Sequence, residues 1–458
     1  MKMKHHIKAI LFTFLLLFVT GSSISFAQDP KIEEGNIIIS EQLPLDPQVL
    51  LNNALQFRKA NGLDITIENL KTLISQKTSY TASEQMTGPI TESELSVVIG
   101  NSKFRDELPD LEKEIKANYQ KYYGGLYLKP GKAVILLTDI SNEITSSIAR
   151  KTPESNRLEF QKVDYTLQQL QQIRDKIASL TDKNVLTSFG IDILKNRVYV
   201  SVVNDSKENQ DIILNLIDPK YVIFVKTEPI VLNAEDNNKY RPDIPAGAYI
   251  GKYTAGDCTV GFYSVINNKN SLVTAGHCDW NGSTATWYQP YDAPFQSNSI
   301  GTWAGRTSGD TTVDAGYINL SSHTYVSRYV THQPSGNVAI GRQQDNVYVG
   351  DTVYTRGAKG GTVYTGTVTK TGHSELFPSG SGYNTVSNLV LTTNSSGVVG
   401  DSGGFVGLFN WNSSKSRFDY VLVGIHNGTK PSTPPSQFFS PLGSIKSALG
   451  ITDVFLDN

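Results

Sequence analysis

Gly400-Asp401-Ser402-Gly403-Gly404 is the most informative stretch of this chain. It places a serine among glycines, where the backbone can turn sharply and expose its amide hydrogens. Upstream, Thr274-Ala275-Gly276-His277-Cys278 supplies a histidine beside a cysteine. A serine hydroxyl becomes an effective nucleophile when a neighbouring imidazole accepts its proton. Together, the two strings predict nucleophilic catalysis in which Ser402 attacks and His277 is the base.

The glycines around Ser402 also predict an oxyanion hole. The backbone N–H groups of Gly400 and Ser402 can point at one spot, where they would stabilise a tetrahedral intermediate by roughly 3 kcal/mol per donor. The structural alternative is a plain glycine-rich turn. Five consecutive specified residues favour the catalytic interpretation.

The third member of such a site is a carboxylate that orients the imidazole. The aspartates between the two motifs are Asp279, Asp292, Asp310, Asp314, Asp345 and Asp351. Asp314 is the best candidate, because the run that it opens, to Leu320, alternates like a strand that follows a polar loop. Asp310 is the runner-up, in a Gly-Asp turn that indicates solvent exposure.

Composition narrows the function class. The chain has 458 residues, enough for two or three domains, and a formal net charge of -2, which gives no electrostatic reason to expect binding to nucleic acid or to an anionic membrane. The two cysteines, Cys258 and Cys278, suggest one disulfide in an exported chain, worth roughly 3 kcal/mol for a loop of about 20 residues. A zinc site is not expected, and we expect neither a metal nor an organic cofactor.

The first 27 residues have the features of a secretory signal. Lys2, Lys4 and Lys8 precede an apolar run, Ala9 to Val19, that is too short to span a bilayer, and a small-residue cleavage site ends at Ala27. A membrane anchor is the alternative. The signal predicts a secreted, extracellular protein with no membrane association once the signal is removed.

The composition changes near residue 242. Up to Pro242 the chain is rich in Lys, Glu, Leu, Ile and Asn, and its pattern predicts mixed helices and strands; from Asp243 onward it is rich in Gly, Ser, Thr, Tyr and Val, which predicts strands. In the first part, a hairpin followed by a helix occurs twice. The hairpins are predicted at 125–137 and 189–202, the helices after them at 141–150 and 208–217, and further helices at 103–122 and 159–180.

With these motifs, the chain resembles the chymotrypsin-fold serine proteases, in particular the bacterial alpha-lytic protease and streptogrisin group. The resemblance covers roughly residues 247 to 450, and the stretches 257–262, 354–357 and 364–368 also contribute to it. It implies two antiparallel β-barrels, with His277 and Asp314 on the first, Ser402 on the second, and a split near Thr331 to Arg342. A short closing helix is expected at 440–449.

The resemblance also implies individual roles. Cys258 would pair with Cys278, and Arg356 would form a buried ion pair with Asp401, although an exposed arginine is the alternative. The chain departs from the family in having no further disulfide in the second barrel. The long N-terminal part resembles the pro-regions of this group, which assist folding and inhibit the enzyme.

The stretch from Val421 to Thr429 resembles the strand that lines the specificity pocket, and a histidine after Gly-Ile resembles the glutamyl endopeptidases of the family. The pocket residues predicted on this basis are Val399, His426, Asn427, Gly428 and Thr429. From Asp243 onward there is one glutamate, Glu375, against twelve aspartates, whereas residues 28–242 contain sixteen glutamates. A protease that cleaves after Glu would survive longer with few glutamates, although strands also disfavour them. An apolar or aromatic pocket remains the alternative.

The sequence therefore predicts a secreted serine endopeptidase made as a pre-pro-enzyme: an all-β catalytic domain of two antiparallel β-barrels, preceded by an α+β pro-domain. The predicted organisation is a signal peptide (1–27), a pro-region (28–235), a linker with a processing site (236–246) and a protease domain (247–458). Processing is expected after Glu235. The expected partners are protein or peptide substrates and the chain's own pro-region as inhibitor, with a monomeric state. An inactive, peptide-binding relative is the competing class.

Overall fold

The repeated hairpin-and-helix pattern of the N-terminal part is present in the structure. This computed structural model describes residues 47–457 except 78, 180–184, 227–243, 253–256, 280–283, 290–298, 323, 325, 333–335, 359–362, 380–381, 394–399 and 431–434. We call residues 47–226 the N-terminal segment and residues 244–457 the C-terminal segment. All described residues belong to one compact unit. No helix among them combines the length and the apolar character needed to cross a membrane.

The N-terminal segment is α+β. Its elements are α1 (Pro47–Asn61), α2 (Ile67–Ser75), α3 (Ala82–Thr87), α4 (Glu92–Tyr119), β1 (Tyr123–Lys129), β2 (Lys132–Leu137), α5 (Asn142–Ala149), β3 (Leu158–Lys162), α6 (Leu167–Ala178), β4 (Leu186–Asp192), β5 (Arg197–Val202), α7 (Lys207–Leu216) and β6 (Val222–Phe224). Each hairpin, β1–β2 and β4–β5, is antiparallel, and a helix then leads to a third strand that pairs in parallel with the second. The two sheets are thus built on the same plan.

The first half of the C-terminal segment forms a barrel, called the first barrel below. Its strands are β7 (Tyr249–Lys252), β8 (Asp257–Thr259), β9 (Phe262–Ile266), β10 (Lys269–Thr274), β11 (Thr286–Tyr288), β12 (Ser299–Arg306) and β13 (Gly316–Leu320), with β22 (Ile451–Val454) added from the end of the chain. The sheet order is β22-β9-β10-β13-β12-β11-β7-β8. Only two residues join β8 to β9, which lie near opposite ends of this order, so the sheet must curl until its ends meet.

The second barrel follows. Its elements are β14 (Tyr329–His332), β15 (Gly336–Gln343), β16 (Thr352–Arg356), β17 (Tyr364–Ser379), β18 (Gly382–Thr393), β19 (Phe405–Asn412), β20 (Arg417–Lys430), β21 (Ser436–Pro441) and α8 (Leu442–Leu449). Six antiparallel pairings close the ring β16-β17-β18-β21-β20-β19. β14 pairs with β15, which adds to β20 in parallel.

The N-terminal segment is joined to the second barrel by strand pairing. β4 pairs antiparallel with β17 at Ser374↔Phe189 and Glu375↔Ser188, so the sheet β4-β5-β6 continues the barrel wall. Apolar side chains from both sides share one core, which includes Phe189 and Val200 together with Val368 and Val390. The junction therefore combines backbone hydrogen bonds with apolar burial, the two principal sources of stability in a sheet.

Several predictions of local structure need correction. Residues 159–180 are not one helix: β3 occupies the first part, and α6 begins only at Leu167. Residues 331–332 lie in β14 and residues 336–342 lie in β15 rather than in a connection, so the change of barrel occurs between Leu320 and Tyr329. The predicted last helix is present as α8, but the chain then continues into β22 and returns to the first barrel.

Candidate functional site

His277 lies just after β10, on a single turn of 3₁₀-helix, Gly276–Asp279. The turn is buried and is tied to β8 by the disulfide Cys258–Cys278, whose Cα atoms are 6.1 Å apart. The predicted disulfide is therefore present. It holds the histidine-bearing turn against the barrel wall.

Asp314 makes two contacts with His277. Its Oδ1 atom accepts the backbone N–H of His277 at 2.8 Å, and its Oδ2 atom lies 2.5 Å from Nδ1 of the imidazole ring. Asp314 is 6 % exposed and His277 is 8 % exposed. A carboxylate that accepts a hydrogen bond from Nδ1 keeps the proton on that nitrogen, so Nε2 carries the lone pair that can accept a proton.

The other candidate aspartates have different surroundings. Asp310 is exposed and accepts the backbone N–H of Thr385 at 2.8 Å. Asp279, Asp345 and Asp351 form ion pairs with Lys252, Lys446 and Arg105, respectively. Asp292 lies outside the described residues.

Asn427, which was predicted as a pocket residue, makes its side-chain hydrogen bonds within this network. Its Nδ2 atom donates to the backbone oxygen of Asp314 at 2.7 Å and to Oδ2 at 3.1 Å. Ser440 donates to Oδ1 of Asn427 at 2.7 Å and accepts the N–H of Asp314 at 3.1 Å. The second barrel thus supplies two side chains that hold the aspartate of the first. Strand alternation does not give this orientation, because the register of β20 against β21 shifts between His426 and Gly428. No local signal indicates Ser440.

The loop that carries Ser402 packs directly against the strand that leads to His277. A Cβ atom on Gly403 would lie 2.0 Å from Oγ1 of Thr274, and Gly403 has a φ of 85°, so this close approach requires glycine. The loop is further fixed by Thr259. Its N–H donates to the backbone oxygen of Ser402 at 2.8 Å, and its hydroxyl donates to that of Gly400 at 2.6 Å. The structure thus brings the serine and histidine motifs together at the junction of the two barrels.

Arg356 and Asp401 are both buried beside Gly357. Arg356 is 1 % exposed and donates from Nη1 to the backbone oxygen of Gly357 at 2.5 Å. Asp401 is fully buried, and a Cβ atom on Gly357 would lie 2.0 Å from its Cγ atom. Tyr364 donates to Oδ2 of Asp401 at 3.3 Å. The exposed alternative for Arg356 is therefore excluded.

His426 is buried near the end of β20, within the stretch Val421–Thr429 that was predicted to line the pocket. Its ring meets that of Tyr364 edge-on, with centroids 6.3 Å apart, and its backbone bonds to Gly403 and Gly404, which follow Ser402. The Nδ1 atom of His426 is buried and has no hydrogen-bond partner among the described residues. Burial lowers the pKa of His426 to about 4; Asp401 opposes this shift and His277 adds to it. At neutral pH the imidazole is therefore uncharged.

The remaining pocket residues are only partly described. Gly428 and Thr429 lie on β20, where they pair with Phe438 and Gln437 of β21. Val399 lies outside the described residues, as do the predicted processing residues Ala27 and Glu235.

Phe377 is a neighbour of His277 that the sequence did not indicate. It lies near the tip of the β17–β18 hairpin, and its ring centroid is 6.4 Å from that of His277. The other strand of this hairpin exchanges backbone hydrogen bonds with Thr311, which accepts from Ser387 and donates to Thr385. The hairpin that pairs with the N-terminal segment therefore also contacts the histidine and the loop before Asp314.

Within the described part of the chain, no group of three or more His, Cys, Asp or Glu side chains is arranged to hold a metal ion. What the site does offer is a buried carboxylate, an imidazole oriented by it and a serine loop packed beside them. These are the parts of an acyl-transfer site.

Comparisons with protein-family models and with curated proteins find no match for this chain. Among solved structures, it is similar to a glutamic acid-specific serine protease that uses a histidine triad in substrate binding (25% identity, TM-score 0.36, 46% of this chain and 100% of the other). It is also similar to Thermobifida fusca protease A (24%, 0.35, 47% and 99%) and to Cellulomonas bogoriensis chymotrypsin (24%, 0.36, 47% and 99%). The neighbours are thus bacterial proteases, and the likeness is distant and covers about half of this chain.

Proposed function

We propose that this chain is the precursor of a secreted serine endopeptidase. The observation that carries the proposal is the buried contact between Asp314 and His277, with the Ser402 loop packed against the strand that leads to His277. A histidine oriented by a buried carboxylate is the base that a serine nucleophile needs.

In the proposed reaction, Oγ of Ser402 attacks the carbonyl carbon of the scissile peptide while Nε2 of His277 accepts its proton. The N–H groups of Gly400 and Ser402 bind the oxyanion of the tetrahedral intermediate. His277 then gives the proton to the leaving amine, the C–N bond breaks, and an acyl ester remains on Ser402. Water attacks this ester by the same route in reverse and regenerates the enzyme. No metal or organic cofactor enters these steps.

The proposed organisation has a signal peptide (1–27), a pro-region (28–235), a linker (236–246) and a catalytic domain (247–458), active as a monomer outside the cell. Strand pairing between β4 and β17 supports an inhibitory or folding role for the N-terminal segment, because the paired hairpin also carries Phe377 beside His277. Protein or peptide substrates are the expected partners.

We further propose a preference for Glu before the scissile bond. His426 supports it, because a buried imidazole whose Nδ1 atom lacks a partner can bind a carboxylate by hydrogen bonding or by charge. The scarcity of glutamate after residue 243 also agrees. The lowered pKa of His426 favours the second candidate, a protease with an apolar or aromatic pocket in which this histidine is structural.

The catalytic proposal is tested by treating the processed protein with a serine-reactive phosphonate and mapping the adduct. We expect a label on Ser402 that is abolished by His277→Ala. An inactive peptide-binding relative would bind peptides and carry no label. The Ser402→Ala precursor should accumulate unprocessed if maturation is autocatalytic, whereas normal processing would assign maturation to another protease.

Processing after Glu235 tests the specificity proposal independently. Glu235 is followed by Asp236, whereas Glu228 is followed by a proline, which restricts the scissile geometry. Terminal sequencing of the secreted enzyme should find a first cut after Glu235, and Glu235→Gln should delay it. If the enzyme cuts a peptide library after Phe or Leu, and His426→Ala does not change this preference, the apolar pocket would be supported. The proposed catalytic triad would not be affected by that result.

A further inference from the structure

A chain of buried polar side chains crosses the junction between the N-terminal segment and the second barrel. The hydroxyl of Tyr199, on β5, is hydrogen-bonded to Nδ1 of His373, on β17. Nε2 of the same imidazole lies 2.8 Å from Oε2 of Glu375, and Nζ of Lys430, on β20, lies 2.6 Å from that oxygen. All four residues are at most 3 % exposed. Glu375 is also the one glutamate after residue 243, and its backbone pairs with Ser188 of the N-terminal segment.

The arrangement fixes the protonation state of His373. A carboxylate accepts hydrogen bonds, so Nε2 carries the proton and donates it to Glu375, and Nδ1 accepts from the Tyr199 hydroxyl. Each group then has a partner while the imidazole is neutral. A second proton, on Nδ1, would place two hydrogen-bond donors opposite each other. The Tyr199 hydroxyl would then need another acceptor within a buried site.

Burial lowers the pKa of His373, and Lys430 and Lys370 act in the same direction, whereas Glu375 opposes them. If the N-terminal segment separates from β17, the imidazole is uncovered and its pKa returns toward the ordinary value of about 6.5. The joined state therefore binds fewer protons than the separated state. Its stability is fully present above about pH 6.5 and is lost as the pH falls below that value.

Other charged groups also face this junction. Lys370 lies over the Tyr199 ring, 3.4 Å from its centroid, and burial lowers the pKa of Lys370 to about 8, so it is cationic throughout the acid range. Asp192 and Lys195, at the turn between β4 and β5, act electrostatically on Lys370, and Arg174 of α6 lies near Gly372.

From this geometry we infer that His373 is an acid-sensitive latch: the N-terminal segment is held on the second barrel while the imidazole between Tyr199 and Glu375 is neutral, and acidification loosens it. The inference goes beyond the proposed function and does not depend on catalysis. It means that the separation of the two segments responds to the pH of the surroundings as well as to cleavage of the chain between them.

The test is hydrogen exchange in the full-length Ser402→Ala protein, with rates corrected for the pH dependence of intrinsic exchange. Protection of the β4 amides should be about tenfold lower at pH 5.5 than at pH 7.5, because a group with an ordinary pKa of about 6.5 takes up its proton over this range. In the same background, His373→Gln keeps a donor and an acceptor but does not titrate. Its protection should change less than twofold between the two pH values.

A tenfold loss that persists in His373→Gln would overturn the inference, as would an equal loss at β12 and β13 of the first barrel, which would indicate general acid destabilisation. Tyr199→Phe serves if the glutamine variant does not fold. It removes only the hydroxyl, so β4 protection should fall at both pH values while the pH response remains. Protection equal to that of the parent would show that the Tyr199–His373 bond does not hold the junction.

Discussion

Asp314 depends on both barrels for its position, and this dependence distinguishes the site from a local motif. His277 approaches it from the first barrel, whereas Asn427 and Ser440 approach from the second. A carboxylate beside an imidazole can rotate unless its other contacts are fixed. Asn427 is therefore a positioning residue, which acts on the reaction only through Asp314.

Replacement of Asn427 by Ala should lower kcat by about 10- to 100-fold with little change in KM. The reason is that a hydrogen bond to a charged group is worth about 1.5–3 kcal/mol and its loss frees the carboxylate. Steady-state kinetics on a peptide substrate measures the effect. Ser440→Ala, which removes the support of Asn427 but leaves its amide, should show a smaller loss. A rise in KM with unchanged kcat would instead place Asn427 in the pocket.

The neutral state of His426 gives the proposed Glu preference a pH signature. Because the pKa of His426 is lowered to about 4, its imidazole is neutral before substrate binds. It must therefore take up a proton if it is to bind a substrate carboxylate by charge. The ratio of kcat/KM for a Glu peptide to that for the matched Gln peptide should then fall by up to about tenfold per pH unit as the pH rises from 5.5 to 7.5. The ratio removes any effect of pH that the two peptides share. A kcat/KM ratio that does not change with pH, and that is the same in His426→Ala, would contradict recognition by charge.

At the scale of elements, helix α4 begins with a capping box that also serves as an ion-pair site. Thr91 accepts the N–H of Glu94 at 3.3 Å, and Oε2 of Glu94 accepts the N–H of Thr91 at 2.9 Å. The same carboxylate binds Arg58 of α1 through Nη1 at 2.5 Å and Nη2 at 2.9 Å. Arg58 is only 2 % exposed, so the cap of one helix neutralises the buried charge of another.

Two substitutions separate these functions. Thr91→Ala removes the cap and should cost about 1 kcal/mol. Glu94→Gln can retain the capping box but leaves Arg58 buried without its counter-charge, which should cost about 3 kcal/mol or more. Hydrogen-exchange protection of α1 and α4 measures both changes. Equal effects for the two variants would mean that the ion pair contributes nothing beyond the cap.

Elements that depend on local pattern were predictable, and elements that depend on distant partners were not. The hairpins β1–β2 and β4–β5 follow from alternation and turn residues, and the structure confirms them. The sequence pattern predicts a helix over strand β3, because five residues are too few for their period to be read. The return of β22 to β9, and the parallel addition of β15 to β20, are set by tertiary pairing alone.

In the candidate site, too, the features set by local sequence were predictable and those set by distant partners were not. His277 and Ser402 lie in recognisable strings, which the structure brings together, and Asp314, which only the alternation after it favours over Asp310, contacts His277. Ser440, Phe377 and the Tyr199–His373 bond could not be foreseen, because the contacts Ser440–Asp314, Phe377–His277 and Tyr199–His373 span 100 to 174 residues and no spacing encodes them.

At the scale of the whole molecule, two ion pairs join the N-terminal segment to the second barrel, and they differ in burial. Arg105 of α4 binds Asp351 through Nε at 2.7 Å and Nη2 at 2.5 Å, with both side chains at most 9 % exposed. Arg342 binds Asp106 at 2.6 Å, but these side chains are 25 % and 44 % exposed. The first pair is desolvated, whereas the second remains in contact with water. Breaking the first pair should therefore destabilise the junction more than breaking the second.

Arg105→Leu should destabilise the junction by about 3–5 kcal/mol, because it leaves the Asp351 carboxylate buried without its counter-charge while keeping apolar contact with the ring of Tyr348. Asp106→Asn, the matched control on the next residue of the same helix, should cost less than about 1 kcal/mol. Exchange protection of the β4 and β17 amides in the full-length Ser402→Ala background reports both changes. Because Asp351 also accepts the N–H of Tyr348 at 2.7 Å, a change at Asp351 would disturb the barrel itself, so the arginine is the side to alter. Similar losses for Arg105→Leu and Asp106→Asn would show that the burial of the first pair does not determine how firmly the N-terminal segment is held.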